Sequence, residues 1–217
     1  MDWHGWHDDY DRPESRLARR LEAVQEQVRI VLDSAAPGSL RVISLCAGQG
    51  RDLLEVLAGH RRRGDVRARL VELDPRNAEA ARAQTTAAGL EGVEIVTGDA
   101  SLTDHYRGMA PADLALACGV FGNITLGDIE RTVGACCQLC KSGGTVIWTR
   151  GRAAPDRVPL ICEWFEGFGF DRQWLSGPEE GFGVGVHRFR GEPQPLAEGQ
   201  RMFTFVGSSL LRQEGGW

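Results

Sequence analysis

A chain of 217 residues with 42% hydrophobic and 25% charged side chains is long enough to build one domain around a sizeable core. Its formal charge of −5 argues against a nucleic-acid surface, which is normally basic. No apolar run approaches the roughly twenty residues of a membrane span and no signal-peptide core stands at the N-terminus, so the expected location is cytoplasmic.

The segment Met1 to Asp11 crowds Trp3, His4, Trp6, His7 and Tyr10 together ahead of any periodic pattern. Residues 14–33 then carry Leu17, Leu21, Val24, Val28 and Val31 as one stripe, which predicts an amphipathic helix with Pro13 and Ser15 as start signals. Arm and helix occupy residues 1–35, and residues 36–217 make the main body of a single domain. A strand at 41–46 runs into a helix beginning near Arg51. A strand at 66–72 runs into a helix from Pro75 to about Ala88, closed by Gly89. Strands at 93–97 and 113–118 follow, then a helix from about Leu126 to Cys140, a strand at 144–149 and a helix from Pro155 to Gly167. Beyond it the pattern changes to 170–175 and 183–189, an antiparallel hairpin, and a last strand is expected at 202–206 after a Pro-rich connector. The six cysteines show no secreted disulfide pattern or metal-ligand spacing. They read as reduced thiols packed as small hydrophobes.

The chemistry concentrates at Val42-Ile43-Ser44-Leu45-Cys46-Ala47-Gly48-Gln49-Gly50-Arg51-Asp52 and at Glu72, which ends the next strand. An apolar run, a glycine turn and a helix form the first half of a nucleotide-binding α/β unit. Gly48 and Gly50 let the chain turn sharply and let a ligand lie against it, and the Glu72 carboxylate can accept from both ribose hydroxyls. A dinucleotide fingerprint fails at its third glycine, which falls in Leu53-Leu54, and Asp52 would repel a pyrophosphate. A P-loop is excluded because Lys141 is the only lysine. What fits is a nucleoside with a zwitterionic tail instead of phosphates.

At these residues the chain resembles the class I S-adenosylmethionine-dependent methyltransferases. Ser44 to Gly50 stands where that family has its glycine-rich first motif, and Glu72 matches its ribose-binding acid. Val93 to Ala100 resembles the third strand, whose terminal Asp-Ala contacts adenine. Ala112 to Phe121 resembles the fourth strand, which ends beside the transferable methyl. Leu139 to Trp148 resembles the helix-turn-strand written Leu-Lys-Pro-Gly-Gly in the family. The resemblance implies a doubly wound α/β fold, with a mostly parallel seven-stranded sheet and a terminal antiparallel hairpin. It also implies S-adenosylmethionine held by Cys46, Ala47, Gly48, Gly50, Glu72, Leu73, Asp99, Ala100, Gly119 and Phe121.

The acceptor is less legible. The segment Gly119 to Thr125 lacks the Asn/Asp-Pro-Pro-Tyr/Phe of enzymes that methylate nucleobase amines. It also lacks the acids of metal-dependent catechol methyltransferases, so no divalent metal is expected. Asn123 is a candidate for contact with cofactor or acceptor, or else a helix cap. Arg150 can hold an acidic substrate group or sit in a solvated turn; His187 can face the acceptor or the core. Family members often close the site with an N-terminal arm. That makes Trp3 and Trp6 an acceptor wall, Tyr10 a cofactor contact, and His4 and His7 candidate general bases. The expected reaction is methyl transfer to a small, aromatic or heteroaromatic metabolite. The arm packed on a second subunit of a homodimer, a protein methyltransferase, a non-catalytic S-adenosylmethionine-binding regulator and an NAD enzyme are the alternatives.

Overall fold

The computed structural model describes residues 15–207 and Leu211, so Trp3, His4, Trp6, His7 and Tyr10 lie outside the described residues. Helix α1, Arg16–Ser34, starts where the sequence signals it, with the Ser15 hydroxyl accepting from the Ala18 amide at 2.9 Å. Val24 and Val28 from its stripe are buried, Leu17, Leu21 and Val31 are half-buried, and Leu32 beside the stripe is buried as well. The chain then alternates as predicted: β1 Leu40–Leu45, α2 Arg51–Gly59, β2 Val66–Glu72, α3 Pro75–Ala87, β3 Val93–Thr97, β4 Ala112–Ala117, α4 Leu126–Leu139, β5 Cys140–Gly151, α5 Val158–Gly167, β6 Phe170–Leu175 and β7 Phe182–Phe189.

These strands form one seven-stranded sheet in the order β3-β2-β1-β4-β5-β7-β6. Pairings among β1 to β5 are parallel, and β7 runs antiparallel to both β5 and β6. Parallel strands buried on both faces need a helix layer on each side. One layer packs Val28, Leu53, Leu57 and Ala81 from α1 to α3; the other packs Ile129, Val133, Ile161 and Phe165 from α4 and α5. The strand order reverses between β1 and β4, and in such sheets ligands bind outside the carboxyl ends of the strands at that point.

Two expectations need correction. Helix α5 begins at Val158, not Pro155, because the Asp156 carboxylate accepts from the Val158 amide at 2.9 Å and so starts the helix there. No strand forms at 202–206. The backbone there donates to two loops and a helix start: Met202 to the Ser101 carbonyl at 2.8 Å, Thr204 to the Asp128 carboxylate in the first turn of α4 at 3.0 Å, and Val206 to the Asn123 carbonyl at 2.8 Å. A chain whose amides go one by one to separate elements is crossing the ends of strands, not lying beside one. Residues 194–197 are tied to the C-terminal end of α4, through the Gln194 amide to the Cys137 carbonyl and the Ala197 amide to Gln138 Oε1, and residues 201–207 then form a strap over the carboxyl edge of the sheet.

Candidate functional site

A cavity of about 810 Å³ opens at that edge, within the size range of small-molecule sites. One wall is the turn after β1. Cys46 has φ 49°, the one non-glycine residue with positive φ among the described residues, and Gly48 and Gly50 have φ 56° and 74°. A Cβ on Gly50 would meet Leu54 Cδ1 at 2.7 Å and Leu70 Cδ2 at 2.8 Å. The second glycine of the turn therefore does the close helix-to-strand packing that a dinucleotide fold assigns to its third. Ala47 is held by its amide to the Val71 carbonyl at 3.0 Å.

Glu72 ends β2 beside this turn. Its two carboxylate oxygens accept from the Gly48 amide at 2.7 Å and the Asp74 amide at 2.9 Å. Burial pushes its pKa up, against the opposing effect of those two amides. Each oxygen keeps a lone pair for a further donor. Leu73, next in the chain, is 66% exposed at the cavity mouth.

Asp99, after β3, lines the same cavity with Ala100. Its carboxylate accepts from the Ser101 amide at 3.0 Å and pairs with Arg201 of the strap at 2.7 Å. Burial acts to raise its pKa, but Ser101 and Arg201 outweigh that and hold it low. Ala100 is fixed through its carbonyl, which accepts from the buried Tyr106 hydroxyl at 2.7 Å.

At the end of β4, Cys118 and Gly119 line the cavity opposite Asp52 of α2. The Cys118 thiol is hydrogen-bonded to Asp52, and burial raises the pKa of both groups. Arg20 of α1, also in the cavity wall, favours the charged form of Asp52. The Gly119 amide donates to Thr149 Oγ1 at 2.8 Å. Asn123 lines the cavity, donates from Nδ2 to the Gly119 carbonyl at 2.7 Å and accepts from Val206 and Gly207 on its own carbonyl. It is not the helix cap; Thr125 is, through its hydroxyl to the Asp128 amide at 3.2 Å.

Cys46, Ala47, Gly48, Gly50's neighbours, Glu72, Leu73, Asp99, Ala100, Gly119 and Asn123 are thus brought to one place. Four other candidates stand elsewhere. Gly50 itself faces Leu54 and Leu70 inside the turn and does not line the cavity. The Phe121 ring is fully buried against Trp148 and Phe165, with centroids 5.9 and 6.4 Å away. Arg150 is buried and donates to the Phe121 carbonyl; burial and the neighbouring Arg157 lower its pKa to about 10. His187 is fully buried, stacks on Phe165 at 4.6 Å and accepts from Trp148 Nε1 at 3.0 Å. These two substrate candidates support the core around β5 and β7 and do not line the cavity, because the sheet turns their side chains to the α5 face. The sequence missed Arg20, Leu21 and Val24 of α1 and Phe203, Phe205 and Val206 of the strap, all cavity residues.

No family model matches the chain, and no curated protein matches it. Solved structures match well. An O-methyltransferase family protein from Burkholderia thailandensis is 19% identical with a TM-score of 0.63, over 82% of this chain and 57% of that one. The magnesium protoporphyrin IX methyltransferase of Synechocystis PCC 6803, solved with bound SAM, is 12% identical with a TM-score of 0.61, over 78% of this chain and 79% of that one. The fold is that of these methyltransferases. The [4+2]-cyclase SpnF shares it as well, at 13% identity and a TM-score of 0.57 over 76% of this chain and 80% of that one. One fold thus carries more than one described reaction, and the site must decide the function. The chain spans little more than half the length of the first of these structures.

Proposed function

We propose that this protein transfers a methyl group from S-adenosylmethionine to a small aromatic or heteroaromatic acceptor without a divalent metal. The observation that carries the proposal is one cavity whose wall runs from the Gly48–Gly50 turn through Glu72 to Asp99. The donor set fits the cofactor. Glu72 keeps acceptor capacity for ribose hydroxyls, and Asp99 can accept from a purine amino group. Gly48 leaves its backbone open to the amino-acid tail. Asp52 and Arg20 offer opposite charges to the ammonium and carboxylate of that tail. A pyrophosphate would meet Asp52 instead, which disfavours a dinucleotide.

S-adenosylmethionine supplies a methyl group on a sulfonium that is already a strong electrophile. The chain's own work is then to hold the acceptor in line and keep water out. Burial and the neighbouring Asp52 raise the pKa of the Cys118 thiol, which disfavours its nucleophilic thiolate form. The aromatic arm with Trp3, Trp6 and Tyr10 supplies a cover, and His4 or His7 a base for a protonated acceptor. Among the described residues no group of three His, Cys, Asp or Glu can hold a metal ion, and no helix is long and apolar enough to cross a membrane.

Calorimetry with S-adenosylhomocysteine and a radiolabelled methyl-transfer screen over aromatic metabolites test the proposal together. Binding with transfer that survives a chelator is the expected outcome. Binding without transfer to any acceptor points to a regulator, and rescue by magnesium after chelation refutes metal independence. Deletion of residues 1–10 is expected to abolish transfer while changing cofactor affinity much less; full activity after deletion removes the arm from the site.

A further inference from the structure

The strap that closes the cavity is an element to which neither the proposed reaction nor the sequence motifs assign a role. Its attachment, with that of the residues leading into it, is extensive: Thr103 Oγ1 donates to the Ala197 carbonyl at 2.6 Å, the Thr103 amide to Gln200 at 3.0 Å, and Arg201 reaches both Asp99 and Ser101 Oγ at 2.7 Å. Val206 and Gly207 then hang by their amides from the Asn123 carbonyl at 2.8 and 3.0 Å. The strap therefore runs from the purine-side acid after β3 to the loop after β4. Met202 and Phe203 are anchored in the core, 2% and 1% exposed, while Phe205 is 38% exposed and borders the cavity.

The elements that line the cavity differ in chemistry. Arg20, Asp52, Glu72, Asp74 and Asp99, from α1, α2 and the loops after β2 and β3, give the lining ionisable groups suited to a zwitterion and a ribose. Phe203, Phe205 and Val206 of the strap bring no ionisable group to it. A half-exposed ring on an apolar wall gains most from covering a flat apolar surface, by offset stacking or edge contact. Phe205's neighbour Val206 is bonded to Asn123 on the loop after β4, the strand end that the family resemblance sets beside the transferable methyl.

The geometry points to the strap as the acceptor-selecting wall, with Phe205 as its recognition ring for a flat, apolar acceptor and Arg201 as the residue that holds it in register through Asp99. The inference rests on the proposed nucleoside site, and the experiment separates the two. The full-length protein is saturated with S-adenosylhomocysteine, and binding of 2-naphthol is followed by its fluorescence, with cyclohexanol as a non-planar competitor. Phe205→Ala is expected to weaken 2-naphthol at least fivefold and leave the S-adenosylhomocysteine constant within twofold, while Phe205→Tyr retains both. Cyclohexanol should compete poorly.

If the wild-type protein fails to bind S-adenosylhomocysteine, the nucleoside site itself is refuted and the inference falls with it. With that ligand bound, failure of 2-naphthol to bind, or equal affinity in Phe205→Ala, overturns the strap's role alone. A parallel loss of both ligands in Phe205→Ala overturns it too, because Phe205 then acts through the fold.

Discussion

Glu72 joins the turn and the site. Its two oxygens hold the Gly48 and Asp74 amides, so it both fixes the shape of the glycine turn and offers the remaining lone pairs to a ligand. Glu72→Ala should weaken S-adenosylhomocysteine by about 1–3 kcal/mol, the scale of a charge-assisted hydrogen bond, in calorimetry. His187 has the opposite character. Burial first, and Arg172 second, lower its pKa to about 4, and its Nε2 finds no hydrogen-bond partner among the described residues. The unfolded chain takes up a proton near pH 6.5, whereas the folded chain resists it until about pH 4. Stability contributed by neutral His187 is therefore present above pH 6.5 and is lost as pH falls toward 4. Urea titrations at pH 7 and 4.5 should show wild type losing about 2 kcal/mol more than His187→Gln. Equal losses in the two proteins would mean that this histidine does not resist protonation.

At the scale of elements, the regular α/β units were legible because each strand is an apolar run and each helix carries a stripe and a stop signal. Pro75 sits in the first turn of α3 behind the Asp74 cap, and Gly89 follows its end, as the sequence signals. The strand-end residues that line the cavity were legible for the same reason, because the periodicity locates those ends. The strap was not. Met202 to Val206 carries an apolar sequence that reads as a strand, but its partners are single groups on two loops and the first turn of α4, and no local pattern encodes those. His187 was legible in its period and not in its surroundings, since the Trp148 ring lies over Gly185 only once β5 and β7 pair. The α2 turn gives a test at this scale. Gly50→Ala combines a left-handed φ of 74° with a clash on Leu54 and Leu70, so it should destabilise by about 2 kcal/mol or more in chemical denaturation. A change near zero would show that α2 shifts freely on the sheet.

For the whole molecule, the two helix layers share one sheet, and the cavity draws its walls from both ends of the described chain: α1 before the first strand and the strap after the last. A ligand in that cavity therefore bridges elements that are far apart in sequence, and its binding energy stabilises the domain as a unit. Ligand at one hundred times its dissociation constant adds about 2.7 kcal/mol to a folded state that alone binds it. For a domain of this length that corresponds to a rise in Tm of roughly 5–10 °C. S-adenosylhomocysteine should produce such a rise in differential scanning calorimetry. NAD, at equal concentration, should produce none, because its pyrophosphate faces Asp52 where the amino-acid tail would sit. Glu72→Ala should reduce the shift in proportion to its lost affinity, and Phe205→Ala should leave it unchanged. A comparable rise with NAD would assign the cavity to dinucleotides and leave the Glu72 contact as its only retained element.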